Sequence, residues 1–359
     1  MARKRIGFVL ISNQKNPLPS TRIAVLNMLP YLREREYEPH ILFDPTEATE
    51  QPEISGIVDR AEQLEIDIVY FQKVCGPSVR STARLLSARG IKSIYGVCDI
   101  IDNEMAEATD ATIVVTDYLK GLYDVKLQRK IFIVHDGIEN PDVQVRAYRS
   151  DSGSRSNPLR AVLVTAQPLY WLPVIERVPA YLEVRVIGRY RNETLFRALK
   201  DNYWQFRSQR NAGQISRFLS NIIERRFSKI AWNIDTIHQN MAECDIGIIP
   251  VDTQFDPVVG SDVSSWLVRS ENRLTLKMAM GLPVIASPVP SYKEVIVQGE
   301  NGFLATGREE WLECFEALRD PRRRKAIGQR ARATVLQRYS QEEQAKKLLA
   351  VLDDVTRGR

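Results

Sequence analysis

The residues best suited to chemistry lie in SENRLTLKMAMGLPVIASPVPSYKEVIVQGENG, from Ser270 to Gly302. Ser270 is a helix-capping type, and Asn272, Arg273 and Thr275 follow it in the expected first turn, where free backbone N–H groups point outward. Amides, side-chain donors and one fixed positive charge at one place form a receptor for an anion such as a diphosphate. Leu274, Met278 and Ala279 supply the buried face of a short helix, Gly281-Leu282-Pro283 ends it, and Val284-Ile285-Ala286 suits a strand covered on both faces. An ordinary helix-strand unit of any doubly wound domain would show the same apolar pattern.

Other candidates sit where loops follow apolar runs. Ser20 and Thr21 precede an expected helix with Arg22 in its first turn, so they either bind an anion or sugar hydroxyl or simply cap a surface helix. Cys98-Asp99-Ile100-Ile101-Asp102-Asn103-Glu104 puts three carboxylates in six residues; Asp99 or Asp102 is a candidate general base, and Asp102 is equally placed to cap the next helix. His135-Asp136-Gly137 follows a strand, with Gly137 suited to a positive φ and His135 read as structural before catalytic. Trp232 offers a flat face and Asn233 a polar edge for a nucleobase, unless the indole belongs to the core.

Those positions presuppose a particular arrangement of elements. Strands are expected at Ile6–Ile11, His40–Phe43, Ile66–Gln72, Lys92–Val97, Ala111–Thr116 and Ile131–Val134, with helices at Thr21–Glu36 and Arg80–Arg89 between them. The tract Arg149–Pro158 reads as a linker, rich in Ser, with Gly, Asp and Pro. A second alternation follows: Ala161–Thr165, Leu182–Ile187, Ile230–Trp232, Ile246–Pro250, Val284–Ala286 and the short Phe303–Ala305, then helices at Pro321–Tyr339 and Gln341–Val355, the last capped by Ser340. Alternation of this kind gives an α/β protein of two Rossmann-like domains with parallel sheets, at 1–150 and 159–340. In open sheets of this type ligands bind beyond the carboxyl ends of the strands, which is where the candidates fall.

With 359 residues, 44% of them hydrophobic and 26% charged, the chain can bury two ordinary cores, and large-scale disorder is not expected. Fifty Lys and Arg against 45 Asp and Glu leave a formal charge of +5, which by itself argues for no nucleic-acid partner. The excess is local: from Arg185 to Lys229 there are eleven Lys or Arg and three acidic residues. Within it, Leu195–Lys229 interleaves Tyr203, Trp204, Phe206, Phe218 and Phe227 with arginines, as either a pair of ordinary amphipathic helices or a peripheral contact with an anionic membrane surface or acceptor. Cys75, Cys98, Cys244 and Cys314 show no metal spacing and read as reduced core residues. No run approaches the ~20 apolar residues of a membrane span, so a cytoplasmic chain, peripheral to the membrane at most, is expected.

MAMGLPVIAS at 278–287, Glu294 in SYKEVI, NGFLA at 301–305 and AECDIGIIPVD at 242–252 resemble the large retaining family of GT-B glycosyltransferases, which includes sucrose synthases, glycogen synthases and bacterial polysaccharide enzymes. The resemblance spans most of the chain. It implies two domains facing across a cleft, with the last helix, 341–359, crossing back to the first. The first domain takes a saccharide, lipid-linked or other acceptor hydroxyl, and the second a nucleotide-sugar donor. Asp99 or Asp102 would then serve the acceptor and Arg273 the departing diphosphate. Donor contacts would come from Ser20, Thr21, Arg22, Trp232, Asn233, Ser270, Glu271, Asn272, Thr275 and Glu294. The family's cationic pair after the first strand of the second domain is missing from Ala166–Trp171, which passes that task to Arg189, Arg191 or Arg273. No metal or other cofactor is expected. The family's paired glutamates would fall on Val268 and Leu276, so the chain resembles divergent members with an Asn-Arg pair at the helix start. A non-catalytic nucleotide-binding or scaffold homologue and a sugar-nucleotide epimerase are the alternatives.

Overall fold

A computed structural model describes residues 3–145, 148–165, 178–188, 226–251, 258 and 262–357. The chain forms two compact units: 1–139 with 253–272 and 337–359, and 140–252 with 273–336. The expected boundary near 150 thus lies at 139/140, the linker tract belongs to the second unit, and residues 253–272 belong to the first.

The first unit carries a parallel sheet of six strands: β1 (Lys4–Val9), β2 (Tyr37–Phe43), β3 (Ile68–Gln72), β4 (Lys92–Val97), β5 (Ala111–Val114) and β6 (Ile131–Ile133), in the order β2-β1-β3-β4-β5-β6. Helices α1 (Pro19–Ala24), α2 (Leu29–Glu34), α3 (Ile57–Gln63), α4 (Pro77–Ala88), α5 (Asn103–Ala108) and α6 (Asp117–Gly121) connect them. The single helix expected over Thr21–Glu36 is two short helices joined by a 3-10 turn at Leu26–Met28; Pro30, which has no N–H to donate, stands in the first turn of α2.

In the second unit β7 (Leu159–Val164), β8 (Leu182–Gly188), β9 (Phe227–Ala231), β10 (Ile246–Ile249), β11 (Val284–Ala286) and β12 (Phe303–Leu304) form a parallel sheet in the order β12-β11-β10-β7-β8-β9, the dinucleotide-fold order read from one edge. Its described helices are α7 (Ile237–Ala242), α8 (Asn272–Ala279), α9 (Pro290–Lys293), α10 (Arg308–Ala317) and most of α11 (Pro321–Tyr339); α12 (Gln341–Thr356) belongs to the first unit. None of the described helices is long and apolar enough to cross a membrane.

Period-2 alternation builds a core on each face of the first sheet. Ile6, Phe8 and Leu10 point to one side with Ala345, Leu348, Val351 and Leu352 of α12, and Val9 and Ile11 point to the other with residues of α3, α4, α5 and α6. Ser340 caps α12 by accepting the Glu343 N–H at 3.3 Å. Asp353 near its far end accepts from Lys4 Nζ at 3.0 Å and Tyr37 Oη at 2.8 Å, so the C-terminal helix is pinned to β1 and β2.

In the second unit Gly281, at φ +84°, turns the chain out of α8, as its residue type predicts. A Cβ on Gly328 of α11 would lie 2.1 Å from the Gly281 carbonyl, so this helix packs on that turn only because residue 328 is glycine. Arg324, fully buried, donates to the carbonyls of Leu318 and Arg319 at 2.7 and 2.8 Å and to Ser152 Oγ at 2.8 Å, tying α11 to the tract after Tyr148. Burial raises all four thiols, Cys75 and Cys314 to about 11 and Cys244 to about 12; these three are buried as expected, whereas Cys98 is only partly buried.

Candidate functional site

In the first sheet the strand order reverses between β1 and β3, so the loops after these two strands diverge and leave a crevice. Lining it are Ser20, Tyr70, Lys73, Cys98, His135 and Asp136, with apolar neighbours from α1 and α12. The loop after β1 is held by a buried chain: Ser12 Oγ accepts the Leu18 N–H at 2.9 Å and lies 2.7 Å from Thr21 Oγ1, which donates to Gln72 Oε1 at 3.0 Å. α1 begins at Pro19, so Ser20 and Thr21 lie within its first turn and no side chain caps it. Arg22 makes a two-pronged pair with Glu139 at 2.7 and 2.9 Å, and Asn27 Nδ2 adds a bond to the same carboxylate at 2.9 Å. The structure thus gives Thr21 and Arg22 internal partners and leaves Ser20 at the crevice wall.

Lys73 follows β3 at φ +56°, a left-handed conformation that a lysine adopts only when its surroundings impose it. Its N–H donates to the Gly96 carbonyl at 2.8 Å, and its ammonium lies 2.9 Å from Asp99 and 3.3 Å from Glu50. Burial opposes its charge, yet Cys98, Asp99 and Glu50 outweigh that and hold the ammonium above its ordinary range. Asp102 is the N-cap of α5, its Oδ1 accepting the Met105 N–H at 2.8 Å, and Arg80 lies 4.0 Å from its other oxygen. Of its two sequence readings the structure displays the cap. A Cβ on Gly96 would fall 1.9 Å from Tyr70 Oη; the glycine lets the phenol cross under the crevice.

Glu271 and Ser270 meet the loop after β6 within the same unit. His135 Nδ1 is 2.9 Å from Glu271 Oε1, and the imidazole stands edge-on to Tyr339 at 4.9 Å between ring centroids. Asp136 is hydrogen-bonded by Ser270; burial, then the charge of Glu271, push its carboxyl up to about 7 against the opposing pull of Ser270 and His135. Ser270 therefore serves Asp136, and Glu271 is drawn to His135. Gly137 does not have a positive φ; a Cβ there would come within 3.1 Å of Gln341 Cα, a tight approach to α12 that favours a residue without a side chain.

In the second unit, the α8 residues Leu274, Thr275, Lys277, Met278 and Ala279 are buried while Arg273 is exposed. Lys277 is fully enclosed: its stem passes Gly247, where a Cβ would sit 2.9 Å from Lys277 Cδ, and its Nζ donates to the Arg273 carbonyl at 3.2 Å. Burial, then the neighbouring Arg273 charge, lower its pKa to about 7. Leu276 packs against the apolar cluster of Met280 and Leu282. Glu294 is exposed just after α9. Trp232 follows β9 with 42% of its surface exposed, which removes the core reading, and Asn233 Oδ1 caps a turn by accepting the Asp235 N–H at 2.7 Å.

Arg189, Arg191, the loop Ala166–Trp171 and the basic segment as far as Arg225 lie outside the described residues. Lys73, Asp136 and the pairing of His135 with Glu271 went unread in the sequence. Lys73 carried one local signal, its place at the end of an apolar run; the joining of 135 and 271 had none. Among the described residues no three His, Cys, Asp or Glu side chains are grouped to hold a metal.

Residues 267–350 match the family model described as glycosyl transferase-like. The fold is that of solved GT-B proteins. HepE of Anabaena, solved in complex with UDP, is 15% identical with a TM-score of 0.63, and the match covers 98% of this chain and 100% of that one. A glycosyltransferase from Rickettsia africae is 14% identical over all of both chains with a TM-score of 0.68. Sucrose-phosphate synthase of Thermosynechococcus elongatus is 11% identical with a TM-score of 0.64, covering 99% of this chain and 100% of that one. No curated protein sequence matches the chain.

Proposed function

We propose that this chain, a glycosyltransferase by its family segment and its GT-B fold, takes a nucleoside diphosphate sugar as donor and passes the sugar to an acceptor hydroxyl. The observation that carries the reading is Arg273, an exposed cation in the first turn of α8, inside the segment that matches the family model. A helix start with a cation beside it favours a diphosphate, and favours it more as the bond to the sugar breaks and charge gathers on the leaving group. That stabilisation needs no resident metal. Trp232 and Asn233 are proposed for the nucleobase, and Asn272, Thr275, Glu294 and Arg189 for the rest of the donor. The acceptor hydroxyl, carried by a saccharide or a lipid-linked sugar, is assigned to the crevice of the first unit, with Ser20 and Asp99 at its wall and rim. That HepE was solved with UDP supports the choice of a nucleotide ligand. Contact with a membrane face through 195–229 remains part of the proposal.

One observation favours a second reading, nucleotide binding without turnover: Leu276, where the family has a glutamate, is committed to the apolar cluster. Thermal stabilisation of the protein by UDP, GDP, ADP and their sugar esters, with Arg273→Ala beside it, tests the donor site. A ligand at a hundred times its Kd stabilises by about 2.7 kcal/mol. Stabilisation by one nucleotide that Arg273→Ala abolishes supports the site; stabilisation without release of nucleoside diphosphate from any sugar ester would favour the second reading.

A further inference from the structure

Lys277 is buried where an apolar side chain would serve packing better. It is 1% exposed, and its stem lies over Gly247 of β10, whose missing side chain makes the room for it. The ammonium donates to the Arg273 carbonyl at 3.2 Å, so the side chain folds back along α8 and ends nearer the helix start than its own Cα. α8 ends just before β11 begins, at the amino edge of the sheet, so its start faces the carboxyl edge, where sheets of this kind bind ligands. Both residues belong to the second unit. Neither cation has a counter-charge among the described residues. Arg273 is exposed, and its side chain forms no hydrogen bond or ion pair with them. Burial and then Arg273 act on Lys277, and both disfavour its charge. β10 and β11 present Gly247 and Val284 to this region, so among the described residues Arg273 is the one charged group acting on the ammonium. Buried cations in folded proteins are paired; two adjacent cations with no carboxylate between them form a receptor for an anion, and such costly features concentrate where a protein acts on something else.

We propose that Lys277 is the second cation of the diphosphate site, and that a nucleoside diphosphate binding beside Arg273 draws a proton from solvent onto Lys277 Nζ. The inference rests on the donor-site reading above. Above pH 7 a nucleoside diphosphate brings about three negative charges, and Arg273 supplies one positive charge. In surroundings of low dielectric the diphosphate favours the protonated amine without touching it. The lone pair of Nζ takes the proton as the nucleotide binds, and the proton returns to solvent when the nucleotide leaves. Burial lowers the pKa of Lys277 to about 7, so at pH 8 most of the nucleotide-free protein carries it neutral, and the exchange falls in an accessible range. Binding that raises this pKa must weaken as pH rises, because protons lost from Lys277 are then lost from the complex.

Calorimetric titration of the full-length protein with UDP, GDP and ADP provides the test. At pH 8, in HEPES and in Tris, whose ionisation heats differ, it gives the number of protons taken up; Kd at pH 7 and pH 9, above the ionisation of the phosphate itself, gives the pH dependence. For a nucleotide that binds, wild type should take up more than about half a proton, and Kd should rise about tenfold between pH 7 and 9. Lys277→Met loses the buried charge and keeps the packing. It should take up less than about 0.2 proton and hold Kd within about threefold over the same range, near the wild-type value at pH 9. A lysine that only fills space would leave Kd and its pH dependence unmoved by the substitution. Wild type that binds a nucleotide without taking up a proton, or Lys277→Met with the wild-type pH dependence, would overturn the role of Lys277 and leave the donor site standing. Failure of all three nucleotides to bind wild type would sink the donor site and this inference with it. Should Lys277→Met not fold, Lys277→Gln takes its place and is held to the same proton count and the same pH dependence.

Discussion

Asp136→Asn should stabilise the protein, with a gain that grows from about pH 4 and is complete above about pH 7. The carboxyl is pushed up to about 7 from an ordinary 3.8 by burial and by Glu271. Below about pH 4 both folded and unfolded chains carry the proton and the site costs nothing. Between pH 4 and 7 the unfolded chain has released it while the folded one still holds it, so stability falls as pH rises. Above about pH 7 the ionisation cost is complete, on the order of 4 kcal/mol for a group wholly out of water. Asp136 keeps some access to solvent, so roughly 2 kcal/mol is expected. An asparagine of the same shape carries no such cost, and for a unit of this size that difference raises Tm by roughly 4–8 °C. Thermal melts followed by circular dichroism at pH 4.5, 6 and 8 would show a gain near zero at the first and full at the last. Ser270→Ala, which removes the bond holding the carboxyl down, should move the pH at which the gain is complete higher, and Glu271→Gln should move it lower, while the onset near pH 4, set by the unfolded chain, stays in place. A gain independent of pH, or an Asn variant less stable at pH 8, would refute the electrostatic account of this crevice.

The remaining predictions concern separate elements. Lys277→Met should also stabilise, with the opposite pH dependence: a buried lysine with its pKa lowered to about 7 is charged at a cost below pH 7, and that cost fades between 7 and 10.5, so urea unfolding should show a gain of a few kcal/mol at pH 6.5 and little at pH 10. Gly96→Ala should destabilise by about 2–3 kcal/mol in equilibrium unfolding, since its Cβ would meet Tyr70 Oη at 1.9 Å and the ring carbon Cζ at 2.3 Å. Arg324→Leu leaves the carbonyls of Leu318 and Arg319 without their donor and should cost about 3 kcal/mol in the same assay, whereas Arg322→Ala on the exposed side of α11 should stay within about 0.5 kcal/mol.

Strand positions were legible because their signal is local. Lys92–Val97 and Val284–Ala286 form as expected, and the other ten strands overlap their expected runs, since a parallel strand buried on both faces reads as an uninterrupted apolar stretch. Helix details were less legible where two local signals competed. The periodicity over Thr21–Glu36 is real, but Pro30 and a 3-10 turn divide it, and Pro19 rather than Ser20 opens the first piece. The positive φ expected of Gly137 is absent; what crowds that position is Gln341, far away in sequence, which no local rule contains.

What the sequence determined by itself is whatever depends on residues within about a dozen positions of one another: the two α/β alternations, the parallel sheets, the cap of α12 and the anion-favouring start of α8 beside Arg273. What the tertiary structure decided is which side chains remain available for work. Thr21 and Arg22 are engaged by Gln72 and Glu139, Asp102 by its own helix, and Ser270 and Glu271 are delivered to Asp136 and His135 by a segment that leaves one compact unit and returns to the other. The physical reason is that hydrogen bonding and ionisation depend on distance and dielectric in space, and for residues 135 and 271 both are set by the folding of all the chain between them.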